Sequence, residues 1–76
     1  MALITEIVHR PHNAYAEHGA VDCTYTIVTD KIGTKYLQLD TYGSSDRQFP
    51  GKKSQSIRFS PSALVQLRRL LAENGL

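Results

Sequence analysis

Val21-Asp22-Cys23-Thr24-Tyr25-Thr26-Ile27-Val28-Thr29-Asp30, followed by Lys31-Ile32-Gly33-Thr34 and then Lys35-Tyr36-Leu37-Gln38-Leu39-Asp40-Thr41-Tyr42, decides the fold. In the first run Val21, Cys23, Tyr25 and Ile27 alternate with Asp22, Thr24, Thr26 and Asp30, the period of a strand with one face turned to a core. Val28 alone breaks the pattern. The second run resumes the alternation with Leu37 and Leu39 inward, and Gly33 in the connector can take the positive φ of a tight turn. The stretch predicts a β-hairpin with Cys23 as a small inward-facing residue. Side chains two apart share a face, so Tyr36, Gln38, Asp40 and Tyr42 form a polar strip framed by two tyrosines on the outer face.

Outward from the hairpin, Gly43 to Ser54 is rich in Gly, Ser, Asp and Pro and predicts a long exposed loop. Gln55 to Phe59 predicts a short strand, with Ile57 and Phe59 inward and Arg58 outward. Ser60-Pro61 is a helix start, serine as N-cap and proline at N1, where its missing amide hydrogen costs nothing. The helix runs to about Asn74, and Gly75 is placed to close it. At 100° per residue, Ala63, Leu64, Leu67, Leu70 and Leu71 fill one arc of about 120°. Val65 and Ala72 lie on a flank beyond Arg68, and a second copy of the helix would cover them. The expected assembly is a homodimer with Leu64, Val65, Arg68 and Ala72 at its interface.

Upstream, residues 2–8 are rich in β-branched types and are read as a short strand, although Leu3, Ile4, Ile7 and Val8 also fit helical spacing. Residues 9–19, punctuated by Pro11 and Gly19, read as a loop holding all three histidines, His9, His12 and His18. Residues 20–76 supply the remaining sheet and the helix. The fold class expected is α+β: a four-stranded antiparallel sheet followed by one C-terminal helix, as a single domain over residues 1–76.

Length agrees, because 76 residues suffice for one domain of the usual range of about 50 to 250. A core of that size supplies only roughly 3–5 kcal/mol without a disulfide, a metal or a second subunit. Cys23 is the only cysteine, which excludes an internal disulfide and a four-cysteine zinc site. Glu6, His9 and Arg10 interrupt any signal-peptide apolar region, and no apolar run approaches the 18 or so residues of a membrane span, so a cytoplasmic protein with no membrane partner is expected. Nine Lys and Arg against seven Asp and Glu leave a formal charge of only +2. Distribution is more telling: Arg47, Lys52, Lys53 and Arg58 stand in a segment without an acid.

That segment, Arg47-Gln48-Phe49-Pro50-Gly51-Lys52-Lys53-Ser54-Gln55-Ser56-Ile57-Arg58, holds cations for phosphates, a flat ring for a base and a glycine that lets backbone approach closely. Beside it, Lys35, Tyr36 and Tyr42 on an open sheet face offer a further cation and two stacking rings. Taken as structure alone, the block is a solvated loop and the tyrosines are cross-strand packing.

Other chemistry is weaker. His9, His12, His18, Glu17 and Cys23 are five potential ligands, but their spacing matches no standard zinc signature, so no metal and no cofactor is expected. Cys23 has no base placed beside it and is not read as a nucleophile. Asp40, Asp46 and Glu17 lack the spacing of a two-metal nuclease site. No catalytic residue is assigned.

From Tyr25 to Leu71 the chain resembles the DNA-binding domain of the positive-cofactor-four transcriptional coactivators and their bacterial and phage relatives. The motifs are Leu37-Gln38-Leu39-Asp40-Thr41-Tyr42, similar to that family's strand ending in an aromatic, Pro50-Gly51-Lys52-Lys53, similar to its Pro-Gly-basic-basic turn, and Ser56-Ile57-Arg58-Phe59-Ser60-Pro61 with Leu64, Leu67 and Arg68, similar to its last strand and capped helix. The resemblance covers about two-thirds of the chain. It implies a dimer that binds single-stranded or melted DNA with little sequence preference, as a factor in transcription or DNA metabolism. Three features depart from the pattern: Ser54-Gln55 is inserted after the basic turn, Asp40 stands where a basic residue is usual, and Leu64 replaces a frequent tryptophan. An acid on a binding strand should repel phosphate.

Two function classes follow. One is a single-stranded nucleic-acid-binding module using Lys35, Tyr36, Tyr42, Arg47, Phe49, Lys52, Lys53 and Arg58. The alternative is a protein-interaction or inhibitor module of a phage or host defence system, whose loop docks on an enzyme. A small metal-dependent nuclease is the least favoured reading.

Overall fold

The structure is a computed structural model that describes residues 1–11, 19–42 and 53–76, with Lys53 described by its backbone. Four strands, β1 (Ala2–Ile4), β2 (Cys23–Thr29), β3 (Lys35–Tyr42) and β4 (Lys53–Phe59), precede one helix, α1 (Pro61–Glu73). They form one sheet in the order β1-β4-β3-β2. β3 pairs antiparallel with β2 on one side and β4 on the other, setting Gln38 between Thr26 and Arg58 and Leu39 between Tyr25 and Ile57.

The sheet is mixed, which corrects the expectation of a wholly antiparallel one. β1 runs parallel to β4, with Ala2 opposite Ile57 and Ile4 opposite Phe59. Parallel neighbours cannot be joined by a tight turn, and here β2 and β3 intervene in sequence between β1 and β4. The expected strand over 2–8 ends at Ile4. Beyond it the chain turns to the helix: the Ser62 hydroxyl donates to the Thr5 carbonyl at 3.1 Å, and the Ile7 amide donates to Gln66 Oε1. β4, in contrast, begins two residues earlier than its side-chain pattern suggested.

The hairpin turn is built around Asp30. Its carbonyl accepts from the Gly33 amide at 3.2 Å, and its carboxylate accepts from the Ile32 and Thr34 amides at 3.0 and 2.9 Å. Gly33 sits at φ 88°, a region that a β-branched residue enters only with strain. Open space surrounds its Cα, so a substitution there is opposed by backbone conformation and not by a clash. Gly33→Val is expected to lower unfolding free energy by about 1–3 kcal/mol in a denaturant titration, with the slope of the transition unchanged.

The helix has the ends its sequence predicts. Ser60 is extended at φ −72° and ψ 164°, its hydroxyl accepts from the Ala63 amide at 3.2 Å, and Pro61 follows. At the other end Gly75 takes φ 68°. The Leu76 amide donates to the Leu71 carbonyl at 2.9 Å and the Gly75 amide to Ala72, the paired bonds that close a helix on a left-handed residue.

Packing departs most from expectation. α1 lies against β3 and β4, the two central strands. Two apolar rows cross one sheet face, Tyr25-Leu39-Ile57-Ala2 and Ile27-Leu37-Phe59-Ile4. Leu37, Leu39, Ile57, Phe59 and Ile4 are half-buried, but Tyr25 and Ile27 are 71 % and 56 % exposed. Val21 and Cys23 are exposed too, so the inward role expected for the odd-numbered side of β2 does not hold. Among the described residues, Ala63 is the one apolar side chain that is buried.

Candidate nucleic-acid interface

The other sheet face carries the polar strip. Strand alternation and register align Thr24-Asp40-Ser56 in one cross-strand row and Thr26-Gln38-Arg58 in the next, with Tyr36 and Tyr42 at the two ends of the β3 strip. Tyr36 and Tyr42 are half-buried and both are anchored. The Tyr36 hydroxyl donates to Asp30 Oδ2 at 3.2 Å, and the Tyr42 hydroxyl lies 3.0 Å from the Thr24 hydroxyl. Each bond ties a ring to the neighbouring strand or turn and limits its rotamers.

The middle of the strip is a closed hydrogen-bonded chain. Arg58 Nε and Nη2 donate to Gln38 Oε1 at 3.2 and 2.7 Å, and Gln38 Nε2 donates to both Asp40 carboxylate oxygens at 3.1 and 3.3 Å. The Ser56 hydroxyl donates to Asp40 Oδ1 at 2.6 Å. Gln38 and Asp40 are only 8 % and 3 % exposed, so these polar side chains are buried more deeply than any leucine of the sheet. The outer face expected for them is closed at its centre. Each buried side-chain nitrogen and oxygen among the described residues has a hydrogen-bond partner, as stability requires.

Electrostatics tie the turn to the strip. Desolvation pushes the Asp30 carboxyl up, but the Thr34 and Ile32 amides, the Tyr36 hydroxyl and the Gly33 amide together hold it below its ordinary value of 3.8. The bond to Asp30, then desolvation and the Asp30 charge, raise the Tyr36 phenol above 10.0, and the Arg58 charge acts in the opposite direction. A lowered acid stabilises the fold above its ordinary range and loses that effect as pH falls through the lowered value. For the raised phenol the stabilisation is full below 10.0 and is lost as pH rises through the raised value.

Of the eight residues read as binding nucleic acid, the structure brings Tyr36, Tyr42 and Arg58 to one face. Lys53 has its Cα opposite Tyr42, next to an irregularity in the ladder at Thr41 and Tyr42. Lys35 is exposed, opens β3 opposite Thr29 and alternates to the other face from Tyr36. Arg47, Phe49 and Lys52 lie outside the described residues. Of the dimer set, Leu64 is half-buried, Val65 is 51 % exposed, and Arg68 and Ala72 are exposed.

His9 is exposed, while His12, His18, Glu17 and Asp46 lie outside the described residues. Among the described residues no three His, Cys, Asp or Glu side chains gather as a metal site. None of their helices is long and apolar enough to cross a membrane. The Gln38-Asp40-Ser56 chain was missed by motif reading. Its signal was the register: once β3 and β4 are paired, two hydrogen-bonding rows face each other. No family model, no curated protein and no solved structure matches this chain.

Proposed function

We propose that the chain is a non-enzymatic module that binds single-stranded nucleic acid, of the positive-cofactor-four type, and that it works as a homodimer. The reading rests above all on the convergence of Tyr36, Tyr42 and Arg58 on one sheet face, with the backbone of Lys53 entering the sheet opposite Tyr42. Half-buried rings fixed by their hydroxyls suit base stacking, because little conformational freedom remains to be lost on binding. Lys52, Lys53 and Arg47 supply phosphate contacts and Phe49 a third ring. Both polar ends of the Gln38 amide are already engaged within the protein, so the centre of the strip has no free group of that side chain to read a base edge. Weak sequence preference follows.

The dimer is supported by exposed apolar side chains: Tyr25 and Ile27 on the edge strand are 71 % and 56 % exposed, and Val65 on the helix is 51 % exposed. A second copy is the occupant because one chain carries both halves of such an interface, an apolar sheet face open at β2 and a helix with an unused apolar flank.

Fluorescence anisotropy with a labelled single-stranded oligonucleotide of about twenty bases tests the binding face. Tyr42→Ala is expected to weaken binding by about 1–3 kcal/mol while leaving the salt dependence nearly unchanged, since a stacking ring and no cation is lost. Unaltered affinity would remove Tyr42 from the interface.

A further inference from the structure

Asp40 poses a problem for a nucleic-acid-binding face, because a carboxylate in the middle of it should repel phosphate. The geometry gives it another task. An ionised carboxylate only accepts hydrogen bonds, so the group that faces Asp40 across 3.1 and 3.3 Å must be the amide NH₂ of Gln38. That choice turns the Gln38 carbonyl toward β4, where it accepts from both Nε and Nη2 of Arg58. Ser56, opposite Asp40 on β4, holds the carboxylate from the other strand at 2.6 Å. The order of donors and acceptors is therefore fixed from Ser56 through Asp40 and Gln38 to Arg58.

Two of the five guanidinium N–H groups of Arg58 are used in this chain and three are left over, on a half-buried side chain of the same face as Tyr36 and Tyr42. A guanidinium held along one edge presents its remaining N–H groups in a fixed plane, the geometry that suits a phosphate. We propose that Gln38, oriented by Asp40 and Ser56, is a positioning residue that presets Arg58 as the phosphate clamp of the sheet face. This rests on the nucleic-acid-binding reading above and assigns the acid of the strip a role inside the site. Asp40 acts through an amide and is kept from the ligand by its own burial.

The test is binding of a labelled oligothymidine of about twenty bases by the full chain, measured over a salt series for the wild type, Gln38→Leu, Arg58→Ala and the double variant. Arg58→Ala should reduce the slope of log affinity against log salt by about 0.7, one phosphate contact on a single strand. Gln38→Leu should weaken binding about three- to tenfold with the slope unchanged, the effect of losing one preset side chain and no charge. In the Arg58→Ala background the same change should have no effect, because Gln38 acts only through Arg58. Gln38→Met, of similar length, uncharged and unable to bond either Asp40 or Arg58, is the companion if Gln38→Leu does not fold, and it should show the same pattern. In both variants the Arg58 Nε–H resonance should lose its protection from solvent exchange. An equal loss in both backgrounds, or full affinity for Gln38→Leu, overturns the positioning role while leaving the binding reading intact. A wild type that binds no oligothymidine overturns both.

Discussion

Val65→Glu is expected to turn a dimer into an 8.5 kDa monomer in light scattering at micromolar concentration. Val65 is 51 % exposed on a helix whose neighbouring stripe is already in use, so in the proposed dimer it meets the partner. A glutamate there would be desolvated at the interface, with Arg68 and Arg69 one turn on to offset part of the cost; a net loss of about 1.5–3 kcal/mol corresponds to one to two decades in dimer Kd. A change on the helix alone does not locate the sheet's part in the interface. Ile27→Glu on the edge strand supplies that information, because Ile27 is 56 % exposed at the β2 end of its apolar row and strand β2 carries no charged residue of its own. If both variants and the wild type run as monomers, the exposed rows need another explanation. If Val65→Glu alone dissociates the dimer, the interface is helical and excludes the sheet.

The second large effect concerns the basic turn. Replacing Lys52 and Lys53 together by alanine should weaken binding to every single-stranded sequence alike, since phosphate contacts hold no base information. Two contacts contribute about 1.4 to the salt slope on a single strand, and near physiological salt their loss amounts to roughly ten- to twentyfold in affinity. Isothermal or anisotropy titrations with an oligothymidine and a mixed-sequence strand measure both quantities. Equal affinity for wild type and variant would place the phosphate contacts elsewhere, with Arg47 and Arg58 the remaining cations of that segment.

The hairpin was legible because alternation and one glycine specify the same turn, and the structure places Gly33 there at positive φ; Asp30, read only as an outer-face residue of the strand, is the acceptor that the structure adds. The helix was legible for a similar reason: Ser60, Pro61 and Gly75 mark its ends locally, and each makes the bond or adopts the angle its chemistry favours. The parallel pairing of β1 was not legible. Three residues of apolar sequence carry neither a direction nor a choice between the free edges of β2 and β4, and their partners are distant in sequence: Ala2 lies opposite Ile57, and the Ser60 amide donates to the Ile4 carbonyl at 3.0 Å. Burial was misread on both faces for one physical reason. Side-chain polarity was taken as the guide to burial, whereas Gln38 and Asp40 are buried among hydrogen-bonding partners and the apolar Tyr25 and Ile27 of the edge strand are exposed. Asp40 therefore stood out as an obstacle to phosphate binding when taken singly, and becomes part of a hydrogen-bonded chain once β4 is beside it.

The central claim is that this chain holds single-stranded nucleic acid through phosphates and stacked bases. The most direct measurement is a competition titration of the wild-type protein with single-stranded DNA, duplex DNA and RNA of equal length over a range of salt. Tighter binding of the single strand than of the duplex is expected, because a duplex hides its base faces in its own stack, together with an affinity that falls linearly in log salt through counterion release. No binding of the single strand at low salt, or an affinity indifferent to salt, would contradict the account and direct attention to the basic segment as a docking surface for a protein.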